Sequence, residues 1–491
     1  MNSSDPEHFF NSEGTSTIDQ SNRSLGPHVP FTTLGNHSRT FLGIASFLRP
    51  ENIPQLLFDL EKDKECDLPE AFLRSNRASL DAFPDQTRQG FSFLLLSPNG
   101  SNSISTSAPP AERQKAFNNA VALVYHVFPK QSDENNQNQL YHQWNECNYF
   151  LQHVLTLKNN FKEERRHTND FHASFKFRKL LQDCQRYLYE TNAVEELKDV
   201  CEVNLLAVET IDNSELATDI RASTLSHQAS MYKSTGGVHK AIELNIKGYS
   251  MRLGERPLKG GLLGGFEQNL GYSYNTANDH HTALTWLERS RDTWIASNVK
   301  QGREADWPTV TTKNIARCFV YLGHYDKARE LLDIAIYEFK LEKPLNWAML
   351  AYAYFVLGTL ERYENRPEAA EASFIEAENL WYKGDQTKLH PFNAVCLYKA
   401  GVVCLHQGKV EAAINHICDS LEITKFHANV MPVEHTRGLF KLSEALLHDS
   451  CDSEEAEVLR GEAELYLLRD PQAVNFEREE DYDQWVPIFW R

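Results

Sequence analysis

One spacing constrains this 491-residue chain more than any other feature. An alanine between helix-forming residues recurs as Ala241 in GGVHKAIEL, Ala283 in DHHTALTWL, Ala328 in HYDKARELL, Ala370 in RPEAAEASF and Ala413 in KVEAAINHI, at intervals of 42, 45, 42 and 43 residues. Stepping outward by one more interval reaches Leu197 and Ala456, where the match is looser. Twelve residues before each alanine stands another small residue: Ala229, Gly271, Ala316, Gly358 or Gly401. Small side chains there let two helices approach closely. Five residues before each alanine stands Gly236, Asn278, Gly323, Asn365 or Gly408, the residue types that tolerate the left-handed backbone ending a helix. Four residues after come Leu287, Leu332, Phe374 and Ile417, and seven after come Ala335 and Ala377, the spacing of one buried helical face. Pro257, Pro308, Pro344, Pro391 and Pro432 precede the first helix of successive units, where proline is tolerated. The pattern predicts an all-α array of helix hairpins, each too small to bury its apolar face alone, stacked into a superhelix with a concave wall.

Composition narrows the setting. Hydrophobic residues make up 41% and the formal charge is −18, which argues against nucleic acid or an anionic membrane as the main partner. The longest apolar run, Ala348 to Leu360, falls short of a membrane span. The N-terminus has neither the basic start nor the apolar stretch of a secretory signal. Nine cysteines without a Cys-x-x-Cys then read as reduced thiols, and a cytoplasmic or nuclear location is expected.

No motif carries chemistry. There is no HExxH, no G-x-S-x-G and no G-x-x-x-x-G-K-[ST], so no catalytic residue, nucleotide or other cofactor is expected. Gly260, Gly261, Gly264 and Gly265 (KGGLLGG) read as a flexible turn between repeats. Cys404, His406, His416 and Cys418 resemble a metal set, but residues two apart on a helix point about 200° apart and cannot converge on one ion, so no metal is expected. His280 and His281 open a second helix and read as solvent-facing. The acidic, aromatic tail from Asp470, with Trp485, Phe489 and Trp490, reads as a cap on the last repeat or as a segment that docks in the chain's own groove.

The partly matched pattern L-G-x-x-Y/F-x-x-x-G-x-x-x-x-A resembles the tetratricopeptide (TPR) family, in the ~42-residue form similar to kinesin light chains, over about residues 170 to 465. The resemblance implies a right-handed superhelix that binds a protein or peptide in its groove. Upstream, the Phe47 to Phe58 phrase (F-L-x-P-E-x-I-P-x-x-L-F) and the Ala116 to Pro129 phrase resemble the winged-helix region before the TPRs of fungal NOD-like receptors. That implies a small degenerate winged-helix-like domain, in a stand-alone adaptor or a truncated receptor remnant. The expected organisation is a disordered tail at 1–38, this helical region at 39–165 with a flexible loop near 97–111, the superhelix at 166–469 and the tail at 470–491.

Residues of the first helices that face inward are the candidate groove: Lys233, Gln268, Asn269, Tyr272, Lys313, Asn314, Arg317, Arg362, Tyr398 and Lys399, with His227 beside them. Asn269 and Asn314 share one repeat position. In kinesin-light-chain-type repeats an asparagine there resembles a clamp on the ligand backbone, its amide donating and accepting at once. The lysines and arginines suggest a locally positive wall for an acidic or C-terminal segment. The expectation is a non-enzymatic scaffold for a signalling or biosynthetic complex; the alternative is an accessory protein or helical enzyme of a metabolic pathway.

Overall fold

The computed structural model describes residues 43–48, 57, 108–131, 139–210, 214–385, 387–448, 453–469, 475–483 and 485–486. The expected N-terminal tail, most of the Phe47–Phe58 phrase and the tips of the aromatic tail, Phe489 and Trp490, lie outside these residues.

Before the array stand α1 (Pro110–Val127), a short 3-10 turn at Tyr141–Gln143 and α2 (Trp144–His167). Seven hairpins follow in chain order: α3/α4 (Phe175–Glu190, Val194–Val208), α5/α6 (Ser214–Ser234, Val238–Leu253), α7/α8 (Gly260–Thr276, His280–Lys300), α9/α10 (Thr309–Tyr321, Tyr325–Leu341), α11/α12 (Trp347–Tyr363, Pro367–Asp385), α13/α14 (Pro391–His406, Val410–Phe426) and α15/α16 (Pro432–His448, Ser453–Leu467). A five-residue helix, α17 (Glu479–Asp483), comes last. From α1 to α16 each helix packs on its chain neighbours, so the array is a helical solenoid; α17 packs on α15.

The hairpin rule is visible atom by atom. Ala241, Ala283, Ala328, Ala370 and Ala413 are all fully buried, each on the second helix of its hairpin, and Leu197 and Ala456 occupy the same place in the outer two. A Cβ on Gly271 would lie 2.6 Å from Leu287, one on Gly358 2.9 Å from Phe374, and one on Gly401 2.7 Å from Ile417. The small residue of the first helix therefore receives the bulky residue of the second. The five turn residues all have positive φ, from 55° at Asn365 to 84° at Gly236, and Asn192 (φ 57°) does the same for the first hairpin. A matched pair of substitutions tests this packing. Gly271→Ala, pressed against Leu287 and the Ala283 carbonyl, should lower stability by about 1–3 kcal/mol. Gly265→Ala in the same helix meets nothing within 4 Å and should raise it by up to ~1 kcal/mol. Thermal denaturation of both variants decides the point.

Two expectations need correction. The KGGLLGG segment is not a turn: it forms the first turns of α7. Its glycines make room for α8, since a Cβ on Gly260 would meet Ser297 at 2.6 Å and one on Gly264 would meet Trp294 at 2.8 Å. His280 is not solvent-facing either. Its ring stacks on Tyr321 at 4.9 Å and bonds Asn275 Oδ1 at 2.6 Å.

The leading helices share the solenoid's core rather than standing apart from it. Phe117 and Phe161 interlock with Phe171 and Phe177 at ring separations of 5.0–6.1 Å. More distant still, Trp144 packs on Trp347 (5.6 Å) and Trp381 (6.2 Å), and Tyr141 on Trp347 (5.5 Å). Asn346 Nδ2 donates to Gln139 Oε1 (3.1 Å), and the His390 ring meets the Glu190 carbonyl (3.4 Å). The segment from Gln139 to Trp144 thus bridges the start of the array to its fifth and sixth hairpins. Among the described residues no helix is long and apolar enough to cross a membrane.

Candidate functional site

The first helices of successive hairpins, α3, α5, α7, α9 and α11, present one side of each to a shared basin of about 750 Å³. Tyr125, Gln131, Gln139 and Tyr141 from the leading segment and His390 at the N-cap of α13 complete its walls. His227, Lys233, Gln268, Asn269, Tyr272, Lys313 and Asn314 all line it, and Arg317 joins them by lying over the Tyr272 ring at 4.5 Å. Helical periodicity explains why: these residues are one or two turns apart on their helices, so each helix brings two or three of them to the basin.

By formal charge the basin is basic within an acidic chain. Seven cations line it (Lys130, Lys179, Arg186, Lys233, Arg252, Lys259, Lys313) against three carboxylates (Asp183, Glu190, Asp219), a formal balance of +4. The carboxylates are already engaged. Glu190 pairs with Arg186 (2.5 Å), and Asp219 with Arg252 (2.7 Å) and Lys179 (3.6 Å). Asp183 accepts from the Gln131 backbone and side chain, both at 3.2 Å, while burial pushes its carboxyl up to about 6. Lys233 and Lys313 have no ion-pair partner among the described residues although both are buried. Their ammonium groups lie over aromatic rings instead, Lys233 3.6 Å from Tyr272 and Lys313 5.2 Å from Tyr352. Burial, then the nearby Arg317 charge, holds Lys233 well below the ordinary lysine value and brings Lys313 down to about 7. Burial also brings His227 down to about 3, so it is a neutral ring bonded to Gln185 (3.2 Å).

The two equivalent asparagines differ. Asn269 donates to Ser226 Oγ at 2.9 Å, a bond within the array. Asn314 Oδ1 is buried without a hydrogen-bond partner among the described residues. A buried orphan acceptor costs about 1–3 kcal/mol. Gln268 Oε1 accepts from Thr311 (2.6 Å).

Arg362, Tyr398 and Lys399 do not line this basin. They lie further along the array, covered by α17. Tyr398 Oη donates to Glu479 Oε1 at 3.0 Å, and Arg362 reaches the same carboxylate at 3.6 Å. Sequence reasoning missed Arg437 and Lys441, which complete that cluster from α15, the hairpin whose repeat match was weak. It also missed Glu190 and Tyr352, which carry no periodic signal.

The described residues define the class of the protein: a solenoid of tetratricopeptide-type helix hairpins with a basic basin on its inner wall. No protein-family model matches the chain, and no curated protein matches it. Among solved structures it is similar to NprR in complex with its cognate peptide NprX, at 14% identity over 70% of this chain and 96% of that one, with a TM-score of 0.44. It is similar to a Rap protein complexed with competence and sporulation factor, at 13% identity over 78% and 96%, TM-score 0.45. It is also similar to a STAND protein with a tetratricopeptide repeat sensor from Pyrococcus horikoshii, at 12% identity over 94% and 66%, TM-score 0.40. The fold assignment rests on the hairpin geometry itself.

Proposed function

We propose that this chain is a non-enzymatic, cytoplasmic scaffold that binds an acidic segment of a partner polypeptide in its basin, within a fungal signalling or biosynthetic complex. One observation carries the reading: buried Lys233 and Lys313 lack carboxylate partners in the same cavity that holds the orphan acceptor Asn314 Oδ1. A folded chain tolerates such groups where a ligand completes them. Guest carboxylates neutralise the lysines, and a guest backbone N–H donates to Asn314.

Capture from the native host tests it. Asn314→Ala should weaken guest binding about ten- to hundredfold, the loss of one buried hydrogen bond of roughly 1–3 kcal/mol. The double variant Asn269→Ala/Asn314→Ala should recover none of the partners that the unmodified chain recovers. Equal recovery by both baits sinks the assignment.

A further inference from the structure

Two hairpins beyond Lys313 and Asn314, Tyr398 and Lys399 occupy the same repeat positions, fifteen and fourteen residues before the central alanine. The inner wall continues there as Arg362, Tyr398, Lys399, Arg437 and Lys441, and α17 sits on it. Glu479 and Asp483 are one helical turn apart and share a face. Glu479 accepts from Tyr398 (3.0 Å) and pairs with Lys441 at 2.9 Å. Asp483 pairs with Arg437 (2.5 Å), whose guanidinium also lies 4.1 Å from the Tyr398 ring centre. Between the two acids Tyr482 is fully buried and stacks on Phe440 at 4.7 Å.

Two features mark α17 as an occupant rather than a member of the array. It is five residues long, and an isolated turn that short does not persist without its docking contacts. And it leaves the wall short of negative charge: Arg362, Lys399, Arg437 and Lys441 meet Glu479, Asp483 and Glu444, the last paired with Lys441 at 2.6 Å. Lys399 is buried and makes no salt bridge among the described residues; burial takes it down to about 7 although Asp483 and Glu479 favour its charge.

We propose that this wall is a docking site for an acidic helical segment of a partner protein, carrying two carboxylates one turn apart with an aromatic residue between them, and that α17 occupies it in cis until that partner displaces it. The site is separate from the basin, so it stands whether or not the basin takes its own guest. A partner segment with more than two acids neutralises Lys399 as well and outcompetes α17 by mass action.

The test uses the full chain and a fluorescein-labelled synthetic peptide of residues 475–486 (NFEREEDYDQWV), read by anisotropy. The release variant Glu479→Lys/Asp483→Lys should bind this probe at least tenfold more tightly than the unmodified chain, whose site is filled. Adding Arg437→Glu to the release variant should abolish binding, whereas adding Asn314→Ala should leave it unchanged, which separates this site from the basin. Equal binding by the release variant and the unmodified chain overturns the proposal. So does loss of helical circular dichroism in the release variant, because α17 would then be a structural cap that nothing can displace.

Discussion

Glu190→Ala should cost about 3–5 kcal/mol and detach the segment that walls the basin. The Glu190 carboxylate is fully buried and accepts from the Leu140 backbone N–H (3.0 Å), the Trp144 indole N–H (3.0 Å) and Arg186. Truncation removes all three acceptor contacts at once. Arg186 is then a partly buried guanidinium without its carboxylate, and two further donors lose their partner. The tryptophan cluster should loosen next, because Trp144 is held against Trp347, Trp381 and His390 partly by that indole bond. Urea unfolding gives the stability change, and hydrogen exchange in α2 and at Gln139–Trp144 locates it. Glu190→Gln keeps an acceptor but loses the charge, and should fall between the two. A loss below 1 kcal/mol in Glu190→Ala, with unchanged exchange, would mean that the aromatic contacts alone hold the closure.

Lys313→Met should move stability and binding in opposite directions. Replacing a buried, carboxylate-free ammonium with an apolar chain of similar length is expected to stabilise the fold by about 1–4 kcal/mol at pH 6. The same change should remove most of the affinity for an acidic guest. The sign of the pH dependence follows from burial. The folded value near 7 lies below the ordinary 10.5, so the unfolded chain binds the extra proton between those limits. The penalty is fully present below about pH 7 and disappears as pH rises toward 10.5. Lys399 also titrates near 7 and adds a parallel slope. The stability difference between Lys313→Met and the unmodified chain should therefore shrink by at most ~1.4 kcal/mol per unit as pH rises above 7. Affinity for an acidic guest should fall over the same range, by up to about tenfold per unit, as Lys313 loses its charge. Calorimetry in buffers of different ionisation enthalpy should register proton uptake on binding at pH 8. A variant that is no more stable, or that binds the guest as well as before, would show that Lys313 is paired in solution.

Much of the fold is legible because a hairpin's contacts are local. Gly271 meets Leu287, and Gly401 meets Ile417, sixteen residues away in each case, so the pair recurs at a fixed offset in every unit. The left-handed turn residues lie at another fixed offset, because each first helix must end at the same height. That the candidates from His227 to Asn314 line one basin follows from the same regularity: equivalent positions on successive first helices meet on one side of the array. The KGGLLGG segment misled because glycine is read as a breaker, whereas here it yields to Trp294 and Ser297 across the hairpin.

What the sequence determined by itself is the repeating unit: helix, left-handed turn, helix, and an alanine seam. Those features depend on neighbours within about one hairpin, and short-range geometry leaves a periodic trace. Tertiary structure alone decided how the array is closed and charged. Trp144 finds Trp347 and Trp381, Glu190 meets His390 200 residues on, and Glu479 reaches Tyr398 81 residues back. Such pairs occur once each and follow no period. Their choice depends on the summed twist of several hairpins, which no single repeat encodes.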